Sequence, residues 1–287
     1  MTTEQCYNDF FNQLTSIYEK REAANITDWV FENITGFKKL ERSINRNVEL
    51  GKGVMQKLQI YLAELLQYRP VQYVLNEAWF YKMKFYVNEH VLIPRHETEE
   101  LIEWIVEDVR SLKYDVRYGE FKVLEIGTGS GCIAVSIKKE LENIDITAID
   151  ISEEALKVAN KNAEALHTKI NFLQINFLNE NLWDPLQLYD AIVSNPPYIP
   201  ENEKEKLAKN VTEFEPAIAL FVENNNPFIF YEKIAKFARS HLEPNGKIFV
   251  EIHEEYSKEV QKIFSAHNFK TQIRKDIYGK ERMLQAI

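Results

Sequence analysis

A chain of 287 residues, 45% of them hydrophobic, is long enough to bury one large core and a smaller second one. Its formal net charge is -9 and it has no basic cluster interleaved with aromatics, so a nucleic-acid backbone is a poor partner. No apolar run approaches the roughly 20 residues that cross a bilayer, the start Met1-Thr2-Thr3-Glu4-Gln5 is polar, and Cys6 and Cys132 have no metal-ligand spacing. A cytoplasmic protein with reduced cysteines, no metal site and no membrane contact is expected.

Residues 1–76 read as a small helical domain. Phe10, Phe11, Leu14, Ile17 and Tyr18 recur at helical spacing, as do Ile26, Trp29, Val30 and Ile34 before a stop at Gly36. A third helix is predicted over 40–47 and a fourth over 54–67, the latter ended by Arg69-Pro70. Nine Lys and Arg balance nine Asp and Glu in this segment, so the acidic excess lies in the remainder and a neutral surface is free to meet a protein partner. An alternating stretch at 79–91, with Asn88-Glu89 near its middle, predicts a β-hairpin within a linker at 77–94, and a second domain then occupies 95–287.

That domain opens on Ile93-Pro94-Arg95-His96-Glu97-Thr98-Glu99 and a helix to about residue 110, whose acidic first turn suits the helix dipole. An apolar strand at 122–126 then runs into Gly127-Thr128-Gly129-Ser130-Gly131 and a helix over 132–141. Strand, glycine turn and helix form the first unit of a nucleotide-binding α/β domain. A dinucleotide loop would place its third glycine at 132, where this chain has Cys132. The next strand, 145–149, ends on Asp150, at the distance expected of a carboxylate that accepts hydrogen bonds from ribose hydroxyls. Glu125 is a second acidic candidate. Taken alone, the glycines also suit an ordinary tight turn and Asp150 a helix cap, although Ser152 fills that role. Further alternation follows: helix 153–165, strands 170–174 and 190–194, helix 227–241, strand 247–252 after Pro244-Asn245-Gly246, helix 256–266, and strands 269–274 and 282–287. The fold class is α/β, a mostly parallel sheet with helices on both faces.

Asn195-Pro196-Pro197-Tyr198 follows the apolar run 189–194. Proline stops a ladder, so a plain turn is one reading. The chemical reading is more specific. A carboxamide oxygen and a Pro196 carbonyl that meets no N–H from Pro197 can each accept one hydrogen of a planar NH₂ group, leaving the nitrogen lone pair aimed at an electrophile. Such a site alkylates a weak nitrogen nucleophile.

The glycine spacing resembles motif I of S-adenosylmethionine-dependent methyltransferases. Together with Ile93 to Glu99, Val193-Ser194-Asn195-Pro196-Pro197-Tyr198-Ile199 and Phe214-Glu215-Pro216 before Ala219-Leu220, it makes nearly the whole chain resemble HemK/PrmC-type peptide chain release factor glutamine N(5)-methyltransferases. The resemblance implies a Rossmann-like class I methyltransferase sheet and S-adenosylmethionine as cofactor. It also implies a protein substrate, the Gly-Gly-Gln glutamine of class I release factors, held in part by residues 1–76. It assigns Glu125, Gly127, Thr128, Gly129, Ser130, Gly131, Asp150, Asn176, Phe177 and Asn195 to the cofactor. Asn195, Pro196 and Tyr198 become the catalytic set, with Pro197 and Phe85 beside them on the substrate wall. The chain departs from the family pattern at His96, at Asn176-Phe177 and at Phe221-Val222-Glu223-Asn224. Asn-Pro-Pro-Tyr is shared with enzymes that methylate exocyclic amines of adenine or guanine, so a nucleic-acid base is the competing substrate, against which the acidic balance argues.

Overall fold

The computed structural model describes residues 1–112 and 121–287; residues 113–120 of the expected second domain lie outside them. The first elements are α1 (Thr3–Leu14), α2 (Lys20–Thr35), α3 (Lys39–Ile44), α4 (Lys52–Leu65), α5 (Val71–Leu75), β1 (Ala78–Phe80), β2 (Met83–Phe85) and α6 (Glu97–Arg110). Then come β3 (Lys122–Ile126), α7 (Cys132–Glu140), β4 (Asp145–Asp150), α8 (Glu153–Ala165), β5 (Asn171–Gln174), β6 (Tyr189–Ser194), β7 (Ile199–Pro200), α9 (Lys209–Phe214), α10 (Ala217–Leu220) and β8 (Phe221–Val222). The chain closes with α11 (Ile229–His241), β9 (Leu242–Glu251), α12 (Ser257–Ala266), β10 (Thr271–Lys275) and β11 (Glu281–Ala286).

The chain divides into two compact units, residues 1–77 with 209–214 and residues 78–208 with 215–287. The first is a helical bundle. Thr2 and Gln5 form a capping box that starts α1, and Gly36, at φ 74°, ends α2 in the left-handed conformation glycine adopts without strain. Phe10 and Tyr7 meet Phe31 edge-on, and Leu14, Val30 and Leu65 complete a buried apolar centre. The third helix stops earlier than its sequence pattern suggests, because Asn45 turns both its backbone N–H and its side-chain amide onto the Glu41 carbonyl. The short α5 was not expected. Nor was the membership of α9, where the Lys209 ammonium lies 5.5 Å from the Tyr68 ring centre.

In the second unit a seven-stranded sheet has the order β10-β11-β9-β6-β3-β4-β5, parallel except for β11, which runs antiparallel to both its neighbours. Alternation along each strand sends its apolar residues to two cores. Val123 and Val193 face the cluster that holds Leu101 and Ile105 of α6 and Ile133 of α7, whereas Leu124 and Ile192 face Ile234 of α11 and Val260 of α12. From β3 the chain builds outward through β4 and β5 and then returns to lay β6 on the other side of β3. This reversal opens a crevice at the carboxyl ends of β3 and β6, the place where open α/β sheets bind ligands.

Two expectations need correction. The hairpin turns at Tyr81-Lys82, both with positive φ (48° and 61°), and Asn88-Glu89 lies beyond it outside any strand. Tertiary contacts set that turn: Glu99 accepts the Tyr81 N–H at 3.0 Å, and the Asn162 side chain pins Tyr86 through both its backbone N–H and its carbonyl. Pro244-Asn245-Gly246 does not precede the fifth strand but forms an irregularity inside β9, where pairing with β6 jumps from Leu242 opposite Tyr189 to Lys247 opposite Ala191.

Candidate active site

Register gathers the site. Ile126 pairs with Ile149 on one side and Ser194 on the other, Asp150 with Gln174, and Ser194 with Val250. The residues that follow these pairs therefore emerge along one rim of the sheet: Gly127, the tip of β4 at Asp150, Asn176, Asn195 and Glu251. The Ser194 hydroxyl donates to the Ile126 carbonyl at 2.8 Å and ties the two strand ends at the crevice together.

The glycine loop is shaped by its backbone. Gly127, Gly129 and Gly131 have φ of 77°, 53° and 78°, a region that costs other L-residues about 1–2 kcal/mol. The N–H groups of Gly127 and Thr128 both donate to the Ile149 carbonyl, at 2.9 and 3.0 Å. Asp150 accepts from Gly129 N–H and Ser152 N–H, both at 2.9 Å, while Ser152 caps α8 through Ala155. Asp150 thus fastens the loop and still has lone pairs for a ligand hydroxyl; burial raises its pKa above the ordinary carboxylate value.

One cleft runs along this rim. It is lined by Gly127, Thr128, Gly129, Ser130, Asp150, Asn176, Phe177, Asn195 and Pro197 among the expected residues, and also by Arg95, Thr98 and the segment around Ile218. Five expected residues lie elsewhere. Glu125 is buried beneath the loop, where one oxygen accepts from the Thr128 hydroxyl (2.7 Å) and the Ala134 N–H (3.1 Å) while the other has no partner among the described residues. Its carboxyl is pushed up to about 8 by desolvation. Gly131 faces α8, with an added Cβ 3.1 Å from that of Ala159. Phe85 is a core residue set edge-on to Phe80, because β2 turns it inward. Pro196 is buried between Asn195 and Pro197, both of which line the cleft, and Tyr198 sets its hydroxyl on Glu251 at 3.2 Å and its ring edge-on to His253. His96, exposed at the start of α6, meets Glu99 at 3.0 Å and is not on the cleft wall.

A hydrogen-bond chain lies behind Asn195. Its Nδ2 donates to Thr98 Oγ1 at 3.2 Å, and the Thr98 hydroxyl donates to Glu251 Oε2 at 2.6 Å. Glu251 is buried at the end of β9, and burial raises its pKa despite the two hydroxyls it accepts from. Sequence reasoning missed Thr98 and Glu251 in this role. A carboxylate at the end of an otherwise apolar strand run was the available signal for Glu251.

Residues 109–215 match the family model described as "Methyltransferase small domain". A release factor glutamine methyltransferase of Flavobacterium psychrophilum is 40% identical over 280 residues, which cover 96% of this chain and 95% of that protein. One from Bacteroides thetaiotaomicron is 36% identical, covering 95% of each. The chain belongs to the release factor glutamine methyltransferase family. A solved methyltransferase from Pyrococcus furiosus, 18% identical, superposes with a TM-score of 0.50 over 78% of this chain and 95% of that one, and supports the fold.

As a member of this methyltransferase family the chain is an enzyme that uses S-adenosylmethionine, and its cleft fits that molecule. A Cβ added at Gly127 or Gly129 meets no protein atom within 4 Å, so the loop leaves open space for a ligand to approach its backbone. Desolvation pushes the thiol of Cys132, on the same wall, up to about 12, which disfavours its thiolate. Among the described residues no group of His, Cys, Asp or Glu could hold a metal ion, and no helix is long and apolar enough to cross a membrane.

Proposed function

We propose that this methyltransferase acts in the cytoplasm on the side-chain amide nitrogen of the glutamine in the Gly-Gly-Gln loop of class I release factors. The observation that carries this reading is the Asn195 carboxamide, fixed at the sheet's crevice by Thr98 in a chain so similar to release factor glutamine methyltransferases. Residues 1–76 hold the protein substrate, 77–94 form the link and 95–287 carry the chemistry; the contact boundary after Glu77 supports the first of these limits, whereas 78–94 group with the catalytic unit and 209–214 with the helical one.

S-adenosylmethionine supplies an electrophilic methyl group on a sulfonium. The loop 127–130 and Asp150 hold its ribose and amino-acid portions, while Asn176 and Phe177 offer an amide edge and a ring to its adenine. A carboxamide nitrogen is a poor nucleophile because its lone pair is delocalised, so the protein contributes chiefly by aiming it. With Nδ2 committed to Thr98, Asn195 Oδ1 is left to accept one substrate N–H, and the Pro196 carbonyl accepts the other. These two acceptors stabilise the hydrogens as positive charge builds on nitrogen during bond formation. The surplus proton leaves after transfer, when the nitrogen is far more acidic, so no strong base is required. Tyr198, anchored on Glu251, braces the acceptor loop from behind.

Single-turnover methyl transfer with saturating cofactor tests this, with intact release factor, DNA and RNA assayed in parallel. Asn195→Ala is expected to slow transfer to the release factor by at least about 100-fold, measured with cofactor saturating so that any loss of cofactor affinity is kept out of the rate. An Ala variant within a few-fold of the parent would remove the amide grip, and methylation of DNA or RNA instead would replace the substrate.

A further inference from the structure

Glu251 is a fully buried carboxylate to which the methyl-transfer scheme gives no direct part, yet it touches two of the elements that frame Asn195. Strand register sets it beside Asn195, because Ser194 pairs with Val250. Its two oxygens are occupied by different donors, Oε2 by the Thr98 hydroxyl and Oε1 by that of Tyr198, and the Tyr231 hydroxyl donates to its backbone carbonyl at 3.0 Å. Both of its oxygens therefore act as acceptors. Thr98 has a single hydroxyl proton, and giving it to Glu251 leaves the Thr98 oxygen as an acceptor toward Asn195. Only the NH₂ side of the carboxamide satisfies that acceptor.

The direction of donation along this chain therefore decides which way round the amide sits. A carboxamide turned end for end would present NH₂ to the NH₂ of the substrate, donor against donor, and no grip would form. Asn195 cannot make this choice by shape, because the oxygen and nitrogen ends of its amide are nearly the same size.

We propose that Glu251 and Thr98 are positioning residues that set the orientation of the Asn195 carboxamide and so select an NH₂-bearing substrate. This rests on the reading of Asn195 as the substrate's acceptor. Neither residue takes part in bond making. Thr98 acts through Asn195, and Glu251 acts through Thr98. The same logic accounts for a threonine at the second position of α6, on the cleft wall, where valine would fill the same volume.

The test is a double-mutant cycle on the full-length protein, read by single-turnover transfer to intact release factor, with S-adenosylmethionine affinity from calorimetry and melting temperature as controls. Thr98→Val should slow the turnover step at least about tenfold, the loss expected when one positioning hydrogen bond disappears, with cofactor affinity held within about threefold. Thr98→Ser, which restores the hydroxyl, should recover most of the rate. Glu251→Gln, which can both donate and accept, should also slow transfer. Added to Asn195→Ala, neither change should slow the reaction further, because its target is already gone. Full activity of Thr98→Val beside an inactive Asn195→Ala would overturn the proposal while leaving the Asn195 reading intact, and so would losses that multiply in the double variants. Normal turnover by Asn195→Ala itself would overturn both.

Discussion

At the scale of single residues, burial decides what the acidic groups do. Glu125 was expected to bind the cofactor, but it sits under the glycine loop with one oxygen unpartnered among the described residues and its carboxyl raised from 4.5 to about 8. A carboxyl with a raised pKa favours folding while protonated; that contribution is complete below about 4.5 and is lost as the pH climbs through about 8. Glu125→Gln keeps an acceptor for Thr128 and Ala134 and removes the titration. Relative to the parent, the variant should gain stability between pH 5 and 8 by up to about 1.4 kcal/mol per pH unit. Urea unfolding at three pH values reads the difference, and a constant offset would mean that the buried carboxyl does not titrate there. Asp150 and Glu251 shift in the same direction and are present in both proteins, so the difference between the two reads chiefly Glu125, with a smaller part from its repulsion by Asp150.

At the scale of elements, the three loop glycines are of two kinds although the sequence presents them alike. Gly131 is both left-handed and packed: a Cβ would come 3.1 Å from the Ala159 Cβ and push α7 away from α8. Gly129 is left-handed but open. Gly129→Ala should cost about 1 kcal/mol of stability and weaken S-adenosylmethionine binding more than that strain explains. Gly131→Ala should cost more stability than Gly129→Ala, with thermal unfolding and calorimetry separating the two effects. Equal stability losses would show that the α7–α8 contact yields freely. The hairpin teaches a related lesson. Tyr81-Lys82 carries none of the Asn-Gly or Asp-Gly chemistry that marks a tight two-residue turn, and distant Glu99 and Asn162 hold that stretch instead.

At the scale of the whole molecule, the cleft is framed by segments far apart in the chain. Glu215, almost wholly buried, receives the Arg95 guanidinium at 2.6 Å and the Ile93 N–H at 3.2 Å, and so joins the entry to α6 to the segment that leads into α10. Arg95→Ala strands that carboxylate with one donor and should destabilise by about 3 kcal/mol, whereas Arg95→Ala with Glu215→Ala should recover part of the loss. Denaturant midpoints of the three proteins decide it; a single variant as stable as the parent would show that the pair is replaceable by water. Both Arg95 and the segment after Glu215 line the cleft, so cofactor affinity should fall with stability in the single variant.

Local chemistry alone determined the strand ends that matter: an apolar run stopped by glycines at 127–131, another ended by Asp150, and a third by Asn195-Pro196-Pro197. Glycine's access to positive φ and proline's missing N–H act within a few residues, so these features are legible without a fold. Which side chains stand behind them was decided only by tertiary structure. Thr98 and Glu251 meet Asn195 because α6 packs on the sheet and β9 pairs with β6, contacts between positions more than fifty residues apart in the chain. Phe85, Tyr198 and Glu125 are of the residue types that the site wanted, but the direction of their strands turned Phe85 and Glu125 into the interior, and a hydrogen bond to Glu251 holds Tyr198 behind the wall. A residue's type sets the chemistry it is capable of. Whether it faces the cleft depends on burial, and burial exists only once the sheet has its order.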